Sequence, residues 1–380
     1  MINVSKLYCG LSGQSDELRY GRRPDFGPVI VYNCTARCNL KCVHCYSAST
    51  SAKAPNELST QQAKILLRQL KDINAAVALF SGGEPLMRED LFELLEETNK
   101  LNLRSVLSTN GTLIDPDTAK KLKELGVAYV GISLDGLEPF HDKFRQTKGS
   151  YKAAIRGIRN CDKADLRTGL RFTITKANLD QVPAVFDIAA ENGIRRVCFY
   201  HLIRTGKAKG LDTQTPTSME SRDCIEIVLE KTSELVSKSI LEEVLTVGNH
   251  CDGPFILTKL QQRGVTEFNK AKELLLTAGG NKIGEKIGCI SWDGNVYADQ
   301  FWRNYSLGNV NEIPFKDIWF DSDNQVIRKI RSKDEVADTR CKTCKFFKLC
   351  KGNYRFLDTN HADENWLNEP ACYLTDDEIH

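Results

Sequence analysis

Six short apolar runs alternate with longer amphipathic segments between residues 28 and 205, and this alternation restricts the fold more than any other feature of the chain. The runs are rich in β-branched and aromatic residues, which favours strands, whereas the intervening segments have the 3.6-residue period of helices. Strands are predicted at residues 29–32, 77–80, 104–108, 129–133, 171–175 and 196–201. Strands that alternate with helices form a parallel, helix-covered sheet, so we expect an α/β protein. Periodicity alone does not separate an open sheet from a partial or full barrel.

Polar segments follow four consecutive predicted strands. A group of cysteines follows the first strand, Ser-Gly-Gly-Glu-Pro at residues 81–85 follows the second, and residues 108–111 and 133–136 end the third and fourth. Functional residues of parallel α/β sheets lie in the loops at the carboxyl ends of the strands. We therefore expect these segments to meet at one site.

The composition indicates a globular protein of two or three domains. Of the 380 residues, 41% are hydrophobic and 27% are charged, and 52 basic residues against 50 acidic ones leave a formal charge of +2. This balance gives no electrostatic reason to bind nucleic acid. The first residues lack a signal-peptide pattern and no run approaches the length of a membrane span, so we expect a cytoplasmic protein with reduced thiols and no membrane partner.

The chain contains 14 cysteines, and three of them, Cys38, Cys42 and Cys45, are closely spaced. In a reducing compartment such spacing indicates metal ligands rather than disulfides. Three thiolates on a 4Fe–4S cluster leave one iron open, which suits chemistry more than electron storage. Zinc is the alternative, because Cys34 would complete a set of four thiolates.

The spacing C-x3-C-x2-C after the first strand, combined with Gly-Gly-Glu-Pro at residues 82–85 after the second, resembles the radical S-adenosylmethionine superfamily. The resemblance covers residues 28–205 and implies a partial (βα)6, TIM-like barrel. It also implies that Cys38, Cys42 and Cys45 are the catalytic cluster ligands and that the open iron binds S-adenosylmethionine. An electron from the cluster would cleave this cofactor to methionine and a 5′-deoxyadenosyl radical, which abstracts a substrate hydrogen.

The polar residues at the strand ends become candidate cofactor contacts. Gly82 and Gly83 would let backbone approach a ligand, and Glu84 would accept a hydrogen bond from the ammonium group of the cofactor. Short side chains at the ends of the third and fourth strands would hold a ribose or a carboxylate: Ser108, Asn110, Ser133 and Asp135. Each has an alternative as a turn or cap residue. Arg145 and Arg171 are weaker candidates, since arginines near strand ends often form surface ion pairs.

A second cysteine group lies near the C-terminus. Cys341, Cys344 and Cys350 have the spacing C-x2-C-x5-C, and Cys372 follows further on. This pattern resembles the SPASM and twitch domains and implies one auxiliary 4Fe–4S cluster held by these four thiolates. Full SPASM proteins carry a further cluster, but Tyr354 stands where one of its ligands is expected, and Cys289 has no assigned role. Zinc is again the alternative, because four thiolates close a tetrahedral site.

These patterns divide the chain into four segments. We predict an N-terminal extension at residues 1–27, the barrel at residues 28–205, a helical connection at residues 206–285 and a small cysteine-rich iron–sulfur domain at residues 286–380. Within the connection, residues 217–244 are predicted to form one long or two shorter helices. The small C-terminal domain is expected to need its metal for stability.

Three further segments resemble the radical S-adenosylmethionine enzymes of the alternative haem and haem d1 pathways: residues 2–10 with 18–22, residues 199–207, and residues 299–302 with 307–309. The resemblance implies an iron tetrapyrrole substrate and an external electron donor. It implies removal of the acetate side chains of 12,18-didecarboxysirohaem to give iron-coproporphyrin III. The alternatives are action on the propionates of the same substrate in the haem d1 branch, peptide maturation, and a non-catalytic metal-binding protein.

Basic residues in or near these segments are candidate contacts for the substrate carboxylates: Arg19, Arg22, Arg23, Arg204, Lys207 and Lys209. Solvated surface charge is the alternative for each of them. His201 and His250 are candidate axial ligands to the tetrapyrrole iron, and His201 is favoured because it ends the sixth strand. A histidine satisfied within the core or pocket is the alternative for both.

Overall fold

A computed structural model describes residues 1–11, 20–21, 26–320, 323–333, 339–353 and 371–380. The predicted candidates Arg19, Arg22 and Arg23, and also Tyr354, lie outside these ranges. The described strands are β1 (Ile2–Asn3), β2 (Val29–Thr35), β3 (Val77–Gly82), β4 (Ser105–Thr109), β5 (Val130–Ser133), β6 (Thr168–Ile174), β7 (Arg196–His201), β8 (Glu243–Val247), β9 (Ile287–Ile290), β10 (Asn295–Tyr297) and β11 (Gly308–Asn309). They form one sheet in the order β1-β8-β7-β6-β5-β4-β3-β2-β9-β10-β11.

The described α-helices cover the sheet and build the C-terminal region. They are α1 (Val4–Cys9), α2 (Thr60–Asp72), α3 (Leu91–Lys100), α4 (Pro116–Glu124), α5 (Glu138–Phe144), α6 (Ser150–Lys163), α7 (Val182–Glu191), α8 (Ser218–Ser237), α9 (Asp252–Gln261), α10 (Val265–Ala278), α11 (Phe315–Trp319), α12 (Gln325–Arg331), α13 (Thr339–Thr343), α14 (Phe347–Cys350) and α15 (Asp376–Ile379). Over these ranges of the chain, no helix is long and apolar enough to cross a lipid bilayer.

Strands β2 to β7 lie side by side in chain order and all pair in parallel. The first crossover shows why these elements form. Helix α2 begins at a capping box between Ser59 and Gln62, and it buries an apolar face that includes Leu66 and Leu70. The predicted α/β fold with parallel strands is therefore confirmed.

A seventh parallel strand extends this array, and the helical prediction for residues 217–244 was wrong in its last part. Helix α8 ends at Ser237, Ser239 turns the chain with a φ of 57°, and β8 begins at Glu243. Strand β8 pairs in parallel with β7 and in antiparallel with β1. Its segment Glu-Val-Leu-Thr-Val is too short and too β-branched for a helix, and it is stabilised by pairing with two remote segments.

The opposite edge joins the barrel to the C-terminal region. Strand β9 pairs in parallel with β2, and β10 then pairs in antiparallel with β9 and β11. The described sheet thus ends at β1 on one edge and β11 on the other, without closing, as a partial barrel requires.

Candidate active site

A cleft of about 1040 Å³ opens at the carboxyl ends of β2 to β7. Each of these six strands contributes to its wall, through residues that include Val31, Leu79, Ser108, Ser133, Thr173 and His201. Because one cleft contacts six neighbouring strands, the sheet curves around it. Gln300 and Phe301, which follow β10, also line the cleft. The predicted polar segments therefore meet at this end of the sheet.

The three cysteines of the first group, Cys38, Cys42 and Cys45, all line the cleft. Backbone hydrogen bonds fix their loop at both ends. The Cys38 N–H donates to the carbonyl of Thr50 at 2.7 Å, and the Lys207 N–H donates to the carbonyl of Cys45 at 2.9 Å. A loop without regular structure is held in this way with its thiols at the cleft.

Burial makes the thiols of Cys38 and Cys42 reluctant to ionise without a metal. It raises the pKa of Cys38 to about 12, although the Leu40 N–H donates to its sulfur. Burial also raises the pKa of Cys42, against the opposing charge of Arg145, whose Nη1 lies 3.5 Å from the sulfur. A metal stabilises the thiolate and displaces the proton, so such thiols fit a metal-binding loop.

Asp135, a predicted cofactor contact, lies behind the cleft wall and pairs with Arg145. The Nε and Nη2 atoms of Arg145 donate to Oδ2 of Asp135 at 2.7 and 2.5 Å, and the Thr173 N–H donates to Oδ1 at 3.1 Å. Burial opposes ionisation, but Arg145 and two nearby histidines hold the pKa of Asp135 below its usual range. Arg145 was a weaker candidate site residue, with a surface ion pair as its alternative; it is buried, lines the cleft and contacts Cys42.

Glu84 is also fully buried and does not line the cleft. Its carboxylate accepts hydrogen bonds from the Thr109 hydroxyl at 2.8 Å, the Asn110 N–H at 2.8 Å and the Leu86 N–H at 3.1 Å. The described hydrogen bonds of the Glu84 carboxylate are therefore with the end of β4 and with the turn that follows β3. A role in holding the chain at Asn110 accounts for them directly.

Gly82 and Gly83 line the cleft, but their own chain already explains why these positions are glycine. Gly82 has a φ of 118°, and an added Cβ would lie 2.5 Å from the carbonyl oxygen of Thr35. A Cβ at Gly83 would lie 2.1 Å from the carbonyl oxygen of Arg37. The two glycines thus allow the end of β3 to contact the segment that leads into the cysteine loop.

The other predicted strand-end residues lie at the cleft surface. Ser108, Asn110 and Ser133 all line it. The Ser108 hydroxyl accepts a hydrogen bond from Nη1 of Arg171 at 2.5 Å, and the Asn110 amide donates to Oδ1 of Asn39 at 2.8 Å. Asn110 therefore links the end of β4 to the cysteine loop, and Arg171 brings a cation into the wall.

Sequence reasoning missed two aromatic residues of the cysteine loop that line the cleft, Tyr46 and His44. The Tyr46 hydroxyl contacts Oδ1 of Asn33 at 2.8 Å and Oγ of Ser81 at 2.9 Å. His44 stacks on Phe144 with ring centroids 4.4 Å apart, its Nδ1 is buried without a described partner, and burial lowers its pKa to about 4. Their positions beside Cys45 were the available signal.

The predicted substrate contacts are separated by the structure. His201 lines the cleft. Arg204 forms an ion pair with Asp212, and Lys207 is exposed; neither of these two basic side chains lines the cleft. Both residues follow β7, whose last residue lines the cleft, but neither forms part of the cleft wall.

The thiols of the second cysteine group lie within electrostatic reach of Cys350. Burial raises the pKa of Cys350, and the nearby thiols of Cys372, Cys341 and Cys344 contribute to this shift. A further thiol, Cys251, is fully buried and hydrogen-bonds with Cys372, which lowers the pKa of Cys372 to about 6. As the described side chains stand, no three His, Cys, Asp or Glu residues form a group that could hold a metal ion.

Comparison with known proteins identifies two sequence families. Residues 32–189 match the radical SAM superfamily, and residues 283–345 match SPASM, an iron–sulfur cluster-binding domain. The Fe-coproporphyrin III synthase of Methanosarcina barkeri is 45% identical over 100% of this chain and 99% of that protein. The pre-heme d1 synthase of Dinoroseobacter shibae is 31% identical over 92% of this chain and 86% of that protein.

Solved structures agree on the fold. SuiB of Streptococcus suis superposes with a TM-score of 0.68 at 20% identity, over 86% of this chain and 72% of its own. The protein anSMEcpe superposes with a TM-score of 0.68 at 22% identity, over 91% of this chain and 93% of its own.

The chain belongs to the radical SAM superfamily, within the family that contains the M. barkeri Fe-coproporphyrin III synthase and the D. shibae pre-heme d1 synthase. It is a radical SAM enzyme that uses a 4Fe–4S cluster and S-adenosylmethionine, and its SPASM domain adds auxiliary iron–sulfur binding. The residues present fit the 4Fe–4S cluster and S-adenosylmethionine, because three thiols, glycine backbone and small polar side chains line one cleft.

Proposed function

We propose that this protein removes the two acetate side chains of 12,18-didecarboxysirohaem and so forms iron-coproporphyrin III. The observation that carries the proposal is the 45% identity to the M. barkeri Fe-coproporphyrin III synthase over the whole chain. Action on the propionates of the same substrate is the second candidate, supported by the 31% identity to the pre-heme d1 synthase.

We assign Cys38, Cys42 and Cys45 as the ligands of the catalytic 4Fe–4S cluster. A 4Fe–4S cluster held by these thiols, with S-adenosylmethionine bound, would supply a 5′-deoxyadenosyl radical for abstraction of a substrate hydrogen atom. The guanidinium of Arg145 donates toward the Cys42 sulfur and favours its thiolate form. Asp135 acts through Arg145, whose orientation it fixes by accepting two of its N–H groups.

The cofactor site is assigned to residues that share the cleft wall with the thiols: Gly82, Gly83, Ser108, Asn110 and Ser133. Short hydroxyl and amide side chains suit the ribose and carboxylate groups of the cofactor. Glu84 serves this site as a positioning residue, because its carboxylate accepts the Asn110 N–H and the Thr109 hydroxyl.

The cleft suits an iron tetrapyrrole with several carboxylates. Such a substrate needs apolar surface for its ring and cations for its carboxylates. Val31, Leu79, Leu202 and Phe301 supply apolar wall, and Arg171 supplies a cation among them. We propose His201, Arg204 and Lys207 as contacts to the substrate, together with Arg19 and Arg22, which lie outside the described residues.

The C-terminal region is assigned one auxiliary 4Fe–4S cluster, held by Cys341, Cys344, Cys350 and Cys372. The effect of the other three thiols on the pKa of Cys350 supports this grouping. We keep the division into residues 1–27, 28–205, 206–285 and 286–380 as a proposal. The reaction also requires an external electron donor, and we propose a cytoplasmic enzyme with neither nucleic acid nor membrane as a partner.

The proposal is tested by product analysis under anaerobic conditions. Reconstituted protein is incubated with S-adenosylmethionine, a reductant and 12,18-didecarboxysirohaem, and the tetrapyrrole is examined by mass spectrometry. Loss of two acetate side chains supports the proposal. Altered propionates support the haem d1 activity instead, and 5′-deoxyadenosine with an unchanged tetrapyrrole rejects both.

A pair of cysteine variants tests the ligand assignment. Cys42→Ala is expected to abolish cleavage of S-adenosylmethionine. Cys34→Ala is the matched control, because Cys34 is fully buried, contacts the carbonyl of Ser81 at 3.4 Å and does not line the cleft. Cleavage retained in Cys42→Ala contradicts the assignment, as does cleavage lost equally in both variants.

A further inference from the structure

A hydrogen-bonded network of three side chains connects the cleft wall to the C-terminal segment. Its first member, His201, ends β7 and lines the cleft. The Nε2 atom of His201 lies 3.0 Å from Oδ2 of Asp252, and the hydroxyl of Tyr373 donates to Oδ1 of the same carboxylate at 2.6 Å. The other ring nitrogen of His201, Nδ1, has no hydrogen-bond partner among the described residues.

The second and third members of this network lie in the interior. Asp252 is fully buried, and Tyr373 is 3% exposed and packs edge-on against Phe255. A buried carboxylate is costly unless donors satisfy it, and here His201 and Tyr373 donate to its two oxygens. Tyr373 directly follows Cys372, so this network ends next to a member of the second cysteine group.

The direction of these bonds determines which nitrogen of His201 is free. The fully buried Asp252 carboxylate has one close contact at each oxygen, with Nε2 of His201 at 3.0 Å and with the Tyr373 hydroxyl at 2.6 Å. An ionised carboxylate only accepts hydrogen bonds, so in the neutral imidazole Nε2 carries the proton and Nδ1 keeps its lone pair. Histidines that ligate metals have this arrangement, with the second nitrogen donating to a carboxylate.

We propose that Asp252 and Tyr373 position His201 so that its Nδ1 atom ligates the iron of the substrate tetrapyrrole. The inference rests on the proposed function, because it requires an iron tetrapyrrole in the cleft. Nδ1 donates its lone pair to an axial position of the iron and displaces water if water is bound there. No electron or proton is transferred. The bond anchors the ring by its metal and determines which side chains face the cysteine loop.

The ligand is tested by pulsed electron paramagnetic resonance on the reconstituted protein. Protein with nitrogen-15 histidine is mixed with unlabelled ferric 12,18-didecarboxysirohaem, without reductant, so that the oxidised 4Fe–4S clusters stay diamagnetic. We expect a strong nitrogen-15 hyperfine coupling to the ferric iron. This coupling is expected to disappear in His201→Ala and to return when nitrogen-15 imidazole is added to that variant.

A matched control uses the other candidate histidine. His250 does not line the cleft, and its backbone N–H donates to Asn353. His250→Ala is expected to keep the coupling. A coupling that survives in His201→Ala, or one that disappears in His250→Ala alone, overturns the inference.

The positioning roles need variants that leave His201 in place. Asp252→Asn keeps the shape of the side chain but removes the accept-only carboxylate, and we expect about 10- to 100-fold weaker tetrapyrrole binding with a reduced coupling. Tyr373→Phe keeps the ring and its packing and is expected to give a smaller loss. An unchanged coupling and Kd in both variants overturn the roles of Asp252 and Tyr373.

Failure of this inference is distinguishable from failure of the proposed function. Tetrapyrrole retention by the wild-type protein is measured by ultrafiltration in the same samples. A protein that converts the tetrapyrrole but shows no histidine coupling contradicts only the inference. A protein that neither retains nor converts the tetrapyrrole contradicts the proposed function.

Discussion

Replacing Arg145 with methionine would leave Asp135 as a buried charge without its cation. In the wild-type protein, the side chains of Arg145 and Asp135 are 9% and 0% exposed, and the Arg145 Nη2 atom lies 2.5 Å from the carboxylate. Removing one partner of such a pair costs about 3–5 kcal/mol, because the remaining charge is left in the interior. Methionine keeps an unbranched chain, so the cost arises mainly from the missing charge.

The stability lost in Arg145→Met is expected to be larger at high pH than at low pH. In the wild type, the pKa of Asp135 lies below 3.8, so the pair contributes stability that is present above this value and is lost as the pH falls through the folded-state pKa. Without Arg145, burial raises the pKa of Asp135. The loss of stability in the variant is then largest at pH 8. It decreases as the pH falls through the raised pKa of Asp135, because protonation removes the buried charge.

Anaerobic urea unfolding of reconstituted protein, followed by circular dichroism, measures this effect. With an m value of about 3 kcal/mol per M, the midpoint of Arg145→Met falls by about 1 M or more at pH 8. Arg156→Met, on the exposed face of α6, is the control and changes stability by no more than about 0.5 kcal/mol. Adding Asp135→Asn to Arg145→Met is expected to restore part of the loss. An equal deficit at pH 5 and pH 8, without recovery in the double variant, would refute the reasoning.

Three further predictions concern other parts of the molecule. Gly83→Ala places a Cβ 2.1 Å from a carbonyl oxygen, so its urea midpoint should fall by the equivalent of about 1–3 kcal/mol, whereas Gly210→Ala, with nothing within 4 Å, should not change it. Cys344→Ala should reduce bound iron from about eight to about four atoms per chain, measured by metal analysis. Arg222 lowers the pKa of Glu378 to about 2, so proteolysis of the C-terminal residues should increase in Glu378→Gln at pH 7, and this difference should vanish as the pH falls from 4.5 towards 2.

The sequence was sufficient for features that depend on local pattern. The six predicted strands and the grouping of polar segments at their carboxyl ends follow from periodicity and from the geometry of parallel sheets. Strand β8 was not predictable in this way, because Glu243–Val247 becomes a strand by pairing with β7 and with the remote Ile2–Asn3. A short apolar run after a helix reads equally well as more helix until its partners are known.

The same limit applies to single residues of the site. The spacing of the cysteines predicted where three thiols would line one cleft. The sequence did not show that Asp135 pairs with Arg145, or that the Glu84 carboxylate accepts hydrogen bonds from Thr109 and Asn110, because such partners are determined by tertiary packing. A lone acidic residue at a strand end has the same sequence signal whether it contacts a ligand or positions a neighbour.

Deuterium transfer from labelled substrate tests the proposed reaction most directly. Two samples of 12,18-didecarboxysirohaem are prepared, one deuterated in the acetate methylene groups and one in the propionate chains. Each is incubated with the reconstituted enzyme, a reductant and S-adenosylmethionine. We expect deuterated 5′-deoxyadenosine from the acetate-labelled sample alone, together with iron-coproporphyrin III. Deuterium arriving from the propionate-labelled sample, or from neither, would contradict it.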